Sequence, residues 1–382
     1  MRDTPELLSF AAPPPTPPQI LACDPTSAEA QSLAAFAASH EATRSLYFFQ
    51  TSGSEGHAKW VGLSHAALVS SAQAVNHHLE ATANDRWLIC LPLHHVGGFS
   101  ILTRCQQSGA TFFHDTEKWN PTRFAQLCAE QNITLTSLVP TQIFDLVQQK
   151  LEAPSTLRAI VVGGGALNCQ LGQQAQTLGW PVLQSYGMTE SASQIATAPL
   201  AQLHQGFDPD SLEVLPHWHL TTESDHRLII RGPALADGYA IFNHSTQTWN
   251  WQPLNGELRT RDFVHLWHHG TRQFLQMLGR ESAFIKIKGE LINLAILQKK
   301  IDLLLPGAII CPLPDPRRET KLILVSENHQ FTSAQIETAW QQYHADSPPT
   351  ERLHQSVSIT QIPRTDLGKI NLPQLQRELQ SL

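Results

Sequence analysis

The sequence predicts a two-part α/β protein: a large domain of α/β layers carrying a small β subdomain, followed by a smaller α+β domain. Three observations lead there. From residue 28 onward, helical patterns such as AEAQSLAAFAASH alternate with short apolar runs. After about residue 205 the texture changes to shorter β-like pieces, and a further break follows Gly279-Arg280. A chain of 382 residues with 41% hydrophobic content is long enough for two cores.

Taken in order, residues 1–27 read as a Pro-rich N-terminal extension. Between Ala11 and Pro18 the prolines fix φ and remove backbone donors, which favours an extended strap. The large domain is placed at 28–280. Its runs SLYFFQ, RWLICLPL, ATFFH, LTSLV and LRAIVVGGG are strands, and their alternation with helices such as HAALVSSAQAVNHHL implies substantial parallel pairing. The pieces HRLIIRG, FVHLWHH and RQFLQMLG, joined by Gly, Asp and Asn turns, make the antiparallel β subdomain that closes it. The small domain is placed at 283–382, where FIKIKG, AIICPLP and KLILVSE alternate with the helical patterns INLAILQKKIDLL and SAQIETAWQQYHA. No repeat of solenoid period interrupts this plan.

Composition narrows the function classes. A net charge of −7, with 26 Lys and Arg spread along the chain, leaves no basic stripe for a nucleic-acid backbone and favours a small-molecule substrate. The 19 His are scattered or paired, as at His77-His78, His94-His95 and His268-His269, without Cys or carboxylate partners at metal-ligand spacing. The six Cys lie far apart with no CxxC pair, as expected of reduced cytosolic thiols. The start MRDTPELLSF mixes both signs of charge, unlike a signal peptide, and no apolar run is long enough to span a membrane. The expectation is a soluble cytoplasmic protein, with a homo-oligomer left open.

The chemistry is concentrated in a few segments. Thr51 to Lys59, TSGSEGHAK, follows a strand with hydroxyls, glycines and one Lys; Gly lets backbone N–H groups converge on a polyphosphate and Lys offsets its charge. It is not the GxxxxGK P-loop, and a Gly/Ser-rich turn taken alone is an ordinary loop. Read alone, Gly163-Gly164-Gly165 is a strand exit, a His in LPLHHVGG is a core residue, Asp262 is a turn residue and Lys369 is a solvated loop Lys.

Together, these segments resemble the adenylate-forming superfamily of acyl-CoA synthetases, luciferases and peptide-synthetase adenylation domains. TSGSEGHAK is similar to its phosphate signature, implying that Thr51, Ser52, Gly53, Ser54, Gly56 and Lys59 bind ATP. LPLHHVGG resembles its LPxxH segment, which implies that His95 and Gly97 line an acyl pocket, with Gly163 and Ser191. Gly164 and Gly165 match the glycine-rich strand end beside adenine. QSYGMTE resembles YGxTE: Tyr186 and Gly187 would pack on adenine, Thr189 contact phosphate and Glu190 hold Mg²⁺, a cation that takes carboxylate and phosphate oxygens. Asp262 stands where the family carboxylate accepts the ribose hydroxyls, Arg280 opens the segment similar to the hinge, and Lys369 lies in PRTDLGKI, matching the Lys of the adenylation step.

The resemblance runs from about residue 47 to 371, with seven motifs in the family's order. It implies ATP, Mg²⁺ and coenzyme A as cofactor and co-substrates, a carboxylic acid as substrate, catalysis by Lys369, Glu190 and Thr189, and a mobile C-terminal domain. PLHHVGGF and SYGMTESASQIAT are most similar to the o-succinylbenzoate-CoA ligase branch, which serves menaquinone and phylloquinone biosynthesis. Ligases for another aromatic or fatty acid, enzymes loading a carrier protein and a degenerate nucleotide binder are the alternatives. Three departures stand out: Glu55 in place of Thr, Ser282 in place of the hinge Asp, and about 46 residues before the first strand, fewer than the family carries, which implies an N-terminally shortened domain.

Overall fold

Ser27, Ser64, Asn120 and Asn168 each precede an apolar helical stretch, and each cap side chain accepts a hydrogen bond from a backbone N–H of the first turn. The computed structural model describes residues 19–51, 59–281, 284–287, 290–328, 330–345, 347–364 and 370–381. The stretch Ala11 to Pro18 lies outside these residues. The chain divides into two units, the first running up to Thr221 with Ile229–Thr260 and Leu266–Leu275, the second comprising Thr222–Leu228, Arg261–His265 and Gln276 onward.

In the first unit the elements follow in the order β1 (Gln19–Leu21), α1 (Ala28–Ser39), β2 (Leu46–Thr51), β3 (Lys59–Ser64), α2 (His65–His78), β4 (Arg86–Ile89), α3 (Val96–Ser108) and β5 (Thr111–His114). They continue through α4 (Pro121–Glu130), β6 (Leu135–Leu138), α5 (Pro140–Gln148), β7 (Ala159–Val162), α6 (Cys169–Thr177), β8 (Val182–Tyr186), β9 (Ala196–Thr197) and β10 (Leu212–Val214).

Strands β8, β7, β6, β4 and β5 lie side by side in that order, every pair parallel, as the alternation of apolar runs with helices requires. All five therefore end on the same side of the sheet, the side on which α/β proteins place ligands. Their apolar residues are buried among the crossover helices: Leu88, Ile160, Val162 and Val182 pack with Phe124, Ile143 and Trp180. Each such side chain contributes roughly 2 kcal/mol by leaving water.

A second sheet has the order β1, β2, β3, Gly238–Asn243, Thr248–Pro253. β1, within the 1–27 stretch read from sequence as a Pro-rich extension, pairs parallel to β2. The strands C-terminal to residue 205 divide between two sheets: Arg227–Arg231, Leu258–His269 and Arg272–Arg280, the pieces expected together, follow one another in one of them. Gly238–Asn243 and Thr248–Pro253 join the second sheet, whereas β10 extends the parallel sheet through β9 and pairs on its other edge with Phe274 and Leu275.

The second unit has its own core, with Ile301, Ile310, Leu322 and Leu324 among its buried residues. Ile309–Asp315 pairs antiparallel with Glu319–Glu327, which pairs parallel with Gln355–Ile359, while the helices Leu294–Leu304, Ser333–Ala345 and Leu372–Gln380 complete the unit. No helix among the described residues is long and apolar enough to cross a membrane.

Candidate active site

Three of the predicted segments leave the parallel sheet at its C-terminal edge. After β4, Pro92 and His95 close a tight turn into α3, with His95 N donating to Pro92 O at 3.1 Å and Phe99 N to His95 O at 3.0 Å. A Cβ on Gly98 would stand 2.5 Å from the Pro92 carbonyl oxygen, so only Gly permits this turn. His95 occupies the N-cap position but its imidazole does not cap the helix, and Gly97 has room for a side chain.

After β7, Gly163, Gly164 and Gly165 turn away from the sheet, Gly164 with φ +76°. Gln184 on β8 holds this loop. Its side-chain amide donates to the carbonyls of Gly165 at 3.1 Å and Val162 at 3.3 Å, and its carbonyl accepts from Leu167 N at 2.7 Å. No motif role falls on Gln184; its place beside the glycines across two neighbouring strands is what the parallel register supplies.

After β8 the chain makes a strained turn. Tyr186 is buried and pairs with Ala196 on β9; Gly187 admits no side chain, because a Cβ would lie 1.7 Å from Ser193 O. Ala192 and Ser193 adopt φ of 50° and 118°, unusual for residues with a side chain and common where a site imposes its geometry. Ser191, expected to meet the acyl group, is instead fully buried, and its hydroxyl is committed to the turn: it accepts from Met188 N at 3.0 Å and donates toward Met188 O. Thr189 and Glu190 are partly exposed beside it. The Glu190 carbonyl accepts from Ala236 N at 2.8 Å, and its Oε1 accepts from the Tyr239 hydroxyl at 3.0 Å.

The phosphate segment starts and ends on paired strands. Thr51 faces Lys59 across the β2–β3 hairpin and donates from Oγ1 to Lys59 O at 3.2 Å, while Lys59 Nζ stands 5.7 Å from the centre of the Tyr239 ring. Ser52, Gly53, Ser54, Glu55 and Gly56 lie outside the described residues, as do Ser282 and Lys369. In the second unit Asp262 is buried and accepts from Arg280 Nε at 2.7 Å.

A further charge escaped the sequence reading. Arg104 on α3 is 1% exposed, donates from Nη2 to Ser193 Oγ at 3.1 Å and stands 5.6 Å from the centre of the Trp87 ring. Among the described residues its Nε and Nη1 find no hydrogen-bond partner and no carboxylate pairs with it, and burial pushes the guanidinium down to about 10. A lone Arg inside LTRCQQ carries no sequence signal of this. A cationic group held without a counter-charge makes the interior behind the Ser191–Ser193 turn attractive to an anion.

The donor set fits Mg²⁺ accompanied by a polyphosphate: Tyr239 occupies one oxygen of the Glu190 carboxylate, and no described residue bonds the other. Among the described residues there is no group of three or more His, Cys, Asp or Glu that could hold a metal ion by itself. Cysteine chemistry is disfavoured, since burial pushes the Cys90, Cys105 and Cys311 thiols up to about 12.

Comparisons with known proteins agree with this geometry. Residues 11–240 match the model of the AMP-binding enzyme family. A 2-succinylbenzoate–CoA ligase of Bacillus mycoides (strain KBAB4) is 30% identical over 256 residues, covering 63% of this chain and 50% of the relative. The enzyme of the same name from Staphylococcus aureus (strain MSSA476) is 28% identical over 339 residues, covering 86% and 66%. The chain thus spans about half the length of the first of these relatives. Among solved structures, the o-succinylbenzoate CoA synthetase of Bacillus subtilis in complex with its acyl-adenylate intermediate superposes with a TM-score of 0.72 at 25% identity, covering 86% of this chain and 68% of that one.

Proposed function

We propose that this chain, which belongs to the AMP-binding enzyme family, is an AMP-forming acid–thiol ligase. A substrate carboxylate attacks the α-phosphorus of ATP, releasing pyrophosphate and leaving an acyl-adenylate; the thiol of coenzyme A then attacks the acyl carbon, forming the thioester and releasing AMP. The observation that carries this reading is the turn after β8, where Thr189 and Glu190 are presented at the C-terminal edge of the parallel sheet beside the Gly163–Gly165 loop.

In this reading the chain's own groups do most of the work by positioning and electrostatics, as in other phosphoryl-type displacements. Thr51 and Lys59 anchor the segment that would wrap the phosphates, with Ser52, Gly53, Ser54 and Gly56 between them. Gly164, Gly165, Tyr186 and Gly187 shape the adenine side; Asp262, already engaged with Arg280, offers acceptors for ribose hydroxyls. Bound Mg²⁺ would neutralise charge on the polyphosphate, held from the protein side by Glu190. Lys369 is assigned, on the resemblance of its loop, to offset the charge of the attacking carboxylate and the α-phosphate. The two domains expected from sequence, 28–280 and 283–382, would divide these roles, with the Lys on the smaller and mobile one.

For the acid we propose o-succinylbenzoate, and hence a place in menaquinone or phylloquinone biosynthesis. Two things support it: the names of relatives similar in sequence, and the buried charge of Arg104, which suits an acid bearing a second carboxylate. His95, Gly97 and Gly163 are assigned to the acyl pocket. Ser191, with its hydroxyl committed to the turn, supports the pocket wall in place of contacting the acid.

The test is turnover of purified protein with MgATP, coenzyme A and a panel of o-succinylbenzoate, benzoates and medium-chain fatty acids, following AMP and thioester, with Lys369→Ala as control. Thioester from o-succinylbenzoate alone is the expected result. Turnover of a different acid would keep the ligase and replace the substrate. Adenylate without transfer to free coenzyme A would point to a carrier protein, and no AMP from any acid would leave only a nucleotide binder.

A further inference from the structure

Ala236 to Tyr239 ties Glu190 to the strand that closes the phosphate segment. Ala236 N donates to Glu190 O at 2.8 Å, and the Tyr239 hydroxyl donates to Glu190 Oε1 at 3.0 Å. Between them, Asp237 N donates to Gly62 O at 2.9 Å and Asp237 Oδ2 accepts from Ser64 N at 2.9 Å, both on β3. Gly238 is compressed against the neighbouring strand, where a Cβ would meet Gln252 O at 2.4 Å, so the segment has little freedom to slide.

Register explains why Tyr239 reaches both groups. On the antiparallel pair Tyr239 lies opposite Val61 and Ile241 opposite Lys59, which makes Tyr239 and Lys59 diagonal neighbours on one face. The ring lies beside the Lys59 ammonium at 5.7 Å, a cation–π distance, while the hydroxyl at its far end meets Glu190.

We infer that Tyr239 is a positioning residue. Its hydroxyl fixes one oxygen of Glu190 and aims the other at the metal, and its ring registers Lys59 against the same carboxylate. Orientation of a metal-binding carboxylate by a hydrogen-bonded partner is worth about 10-fold or more in metal affinity. The inference rests on the reading of Glu190 as the metal carboxylate of an adenylating site.

The experiment compares wild type, Tyr239→Phe, Glu190→Gln and the double variant. Binding of Mn²⁺ to the protein–ATP complex is read by loss of the free-ion EPR signal, and the Mg²⁺ half-saturation of ATP–pyrophosphate exchange is measured in parallel. Tyr239→Phe keeps the ring and removes only the hydroxyl. The expected result is Mn²⁺ binding weakened about 10-fold, with the Mg²⁺ half-saturation raised to match and the ATP KM at saturating Mg²⁺ unchanged. In the Glu190→Gln background the same change should add less than about twofold, because the two side chains act as one unit. Wild-type Mn²⁺ affinity in Tyr239→Phe, or an equal effect in both backgrounds, would overturn the positioning role and leave the ligase reading intact. Wild-type protein with neither exchange nor Mn²⁺ binding would overturn both. Thermal unfolding of each variant shows that a fold is present to be measured.

Discussion

The side-chain amide of Gln184 spans from its own strand to the glycine loop of the next, donating to Gly165 O at 3.1 Å while accepting from Leu167 N at 2.7 Å. Both ends of an otherwise pliable Gly163–Gly165 turn are thereby pinned to β8, whose own end carries Tyr186, Thr189 and Glu190. One buried amide thus links two neighbouring strand exits of the candidate site.

Replacing Gln184 by Leu should separate these effects. The buried Leu167 N–H loses its acceptor and three carbonyls, those of Val162, Gly165 and Ser185, lose a donor, a loss of about 2 kcal/mol in stability. Urea unfolding measures that loss, and the KM for ATP should rise along with it because the loop is no longer held. An unchanged ATP KM in a destabilised variant would confine Gln184 to folding.

Gly187→Ala is expected to be more severe at the site than in the fold. The added methyl would lie 1.7 Å from Ser193 O and 2.9 Å from Gln194 Cα, both backbone atoms that no rotamer change can move. The turn must open, costing about 3 kcal/mol if the core holds. Pyrophosphate exchange should fall to background while circular dichroism retains the α/β signature.

These constraints show what sequence conveys. The parallel sheet was legible because its apolar runs alternate with capped helices, and the ends of its strands carry the motif residues. The placing of Gly238–Asn243 was not: nothing local in GYAIFN specifies that, besides its hairpin partner Thr248–Pro253, it pairs with the distant Lys59–Gly62. The helix Leu372–Gln380 and the strand Gln355–Ile359 were likewise missed, since a nine-residue amphipathic stretch and an alternating edge strand give weak periodic signals. Motifs marked candidate residues but not which of their side chains face inward. The sequence could not indicate that Ser191 turns its hydroxyl into its own backbone, or that Arg104 lies buried against Ser193.

Asp85 gives the first unit an acid-sensitive clamp. It accepts from Arg158 Nε at 2.8 Å and Nη2 at 2.9 Å, from Thr134 Oγ1 at 2.7 Å and from Thr82 N at 2.8 Å, joining the segments before β4, β6 and β7. Burial alone would raise its carboxyl, but the hydrogen bonds from Arg158, Thr134 and Thr82 outweigh it and hold the group below its ordinary value of 3.8. A carboxylate depressed in the folded state contributes stability that is complete above its unfolded value and is lost as pH falls through the folded one. Stability should therefore be flat with respect to this group above about pH 5 and decline below about pH 4. Asp85→Asn should cost about 2 kcal/mol at neutral pH, less than for a fully enclosed pair because Arg158 is partly exposed. The difference from wild type should shrink in acid, as measured by urea unfolding at pH 7 and pH 3.5.

Arg104 should trade stability against selectivity. Its guanidinium is buried with two nitrogens that lack partners among the described residues, so the fold carries a desolvation cost that its hydrogen bond to Ser193 and its contact with Trp87 only partly offset. Arg104→Met removes that cost at similar volume, and thermal unfolding should show stability unchanged or raised by about 1 kcal/mol. An ordinary buried ion pair would respond in the opposite sense, because removing one partner strands the other. If the charge is kept for the second carboxylate of the acid, the same variant should raise the KM for o-succinylbenzoate at least about 10-fold, as expected for loss of a desolvated charge–charge contact. Acids with a single carboxylate should be unaffected or favoured. Arg104→Lys should fall between, since the ammonium keeps the charge but not the planar contact with the indole. A destabilised Arg104→Met with unaltered acid preference would assign the residue to packing alone and remove the physical support it lends to a dicarboxylate substrate.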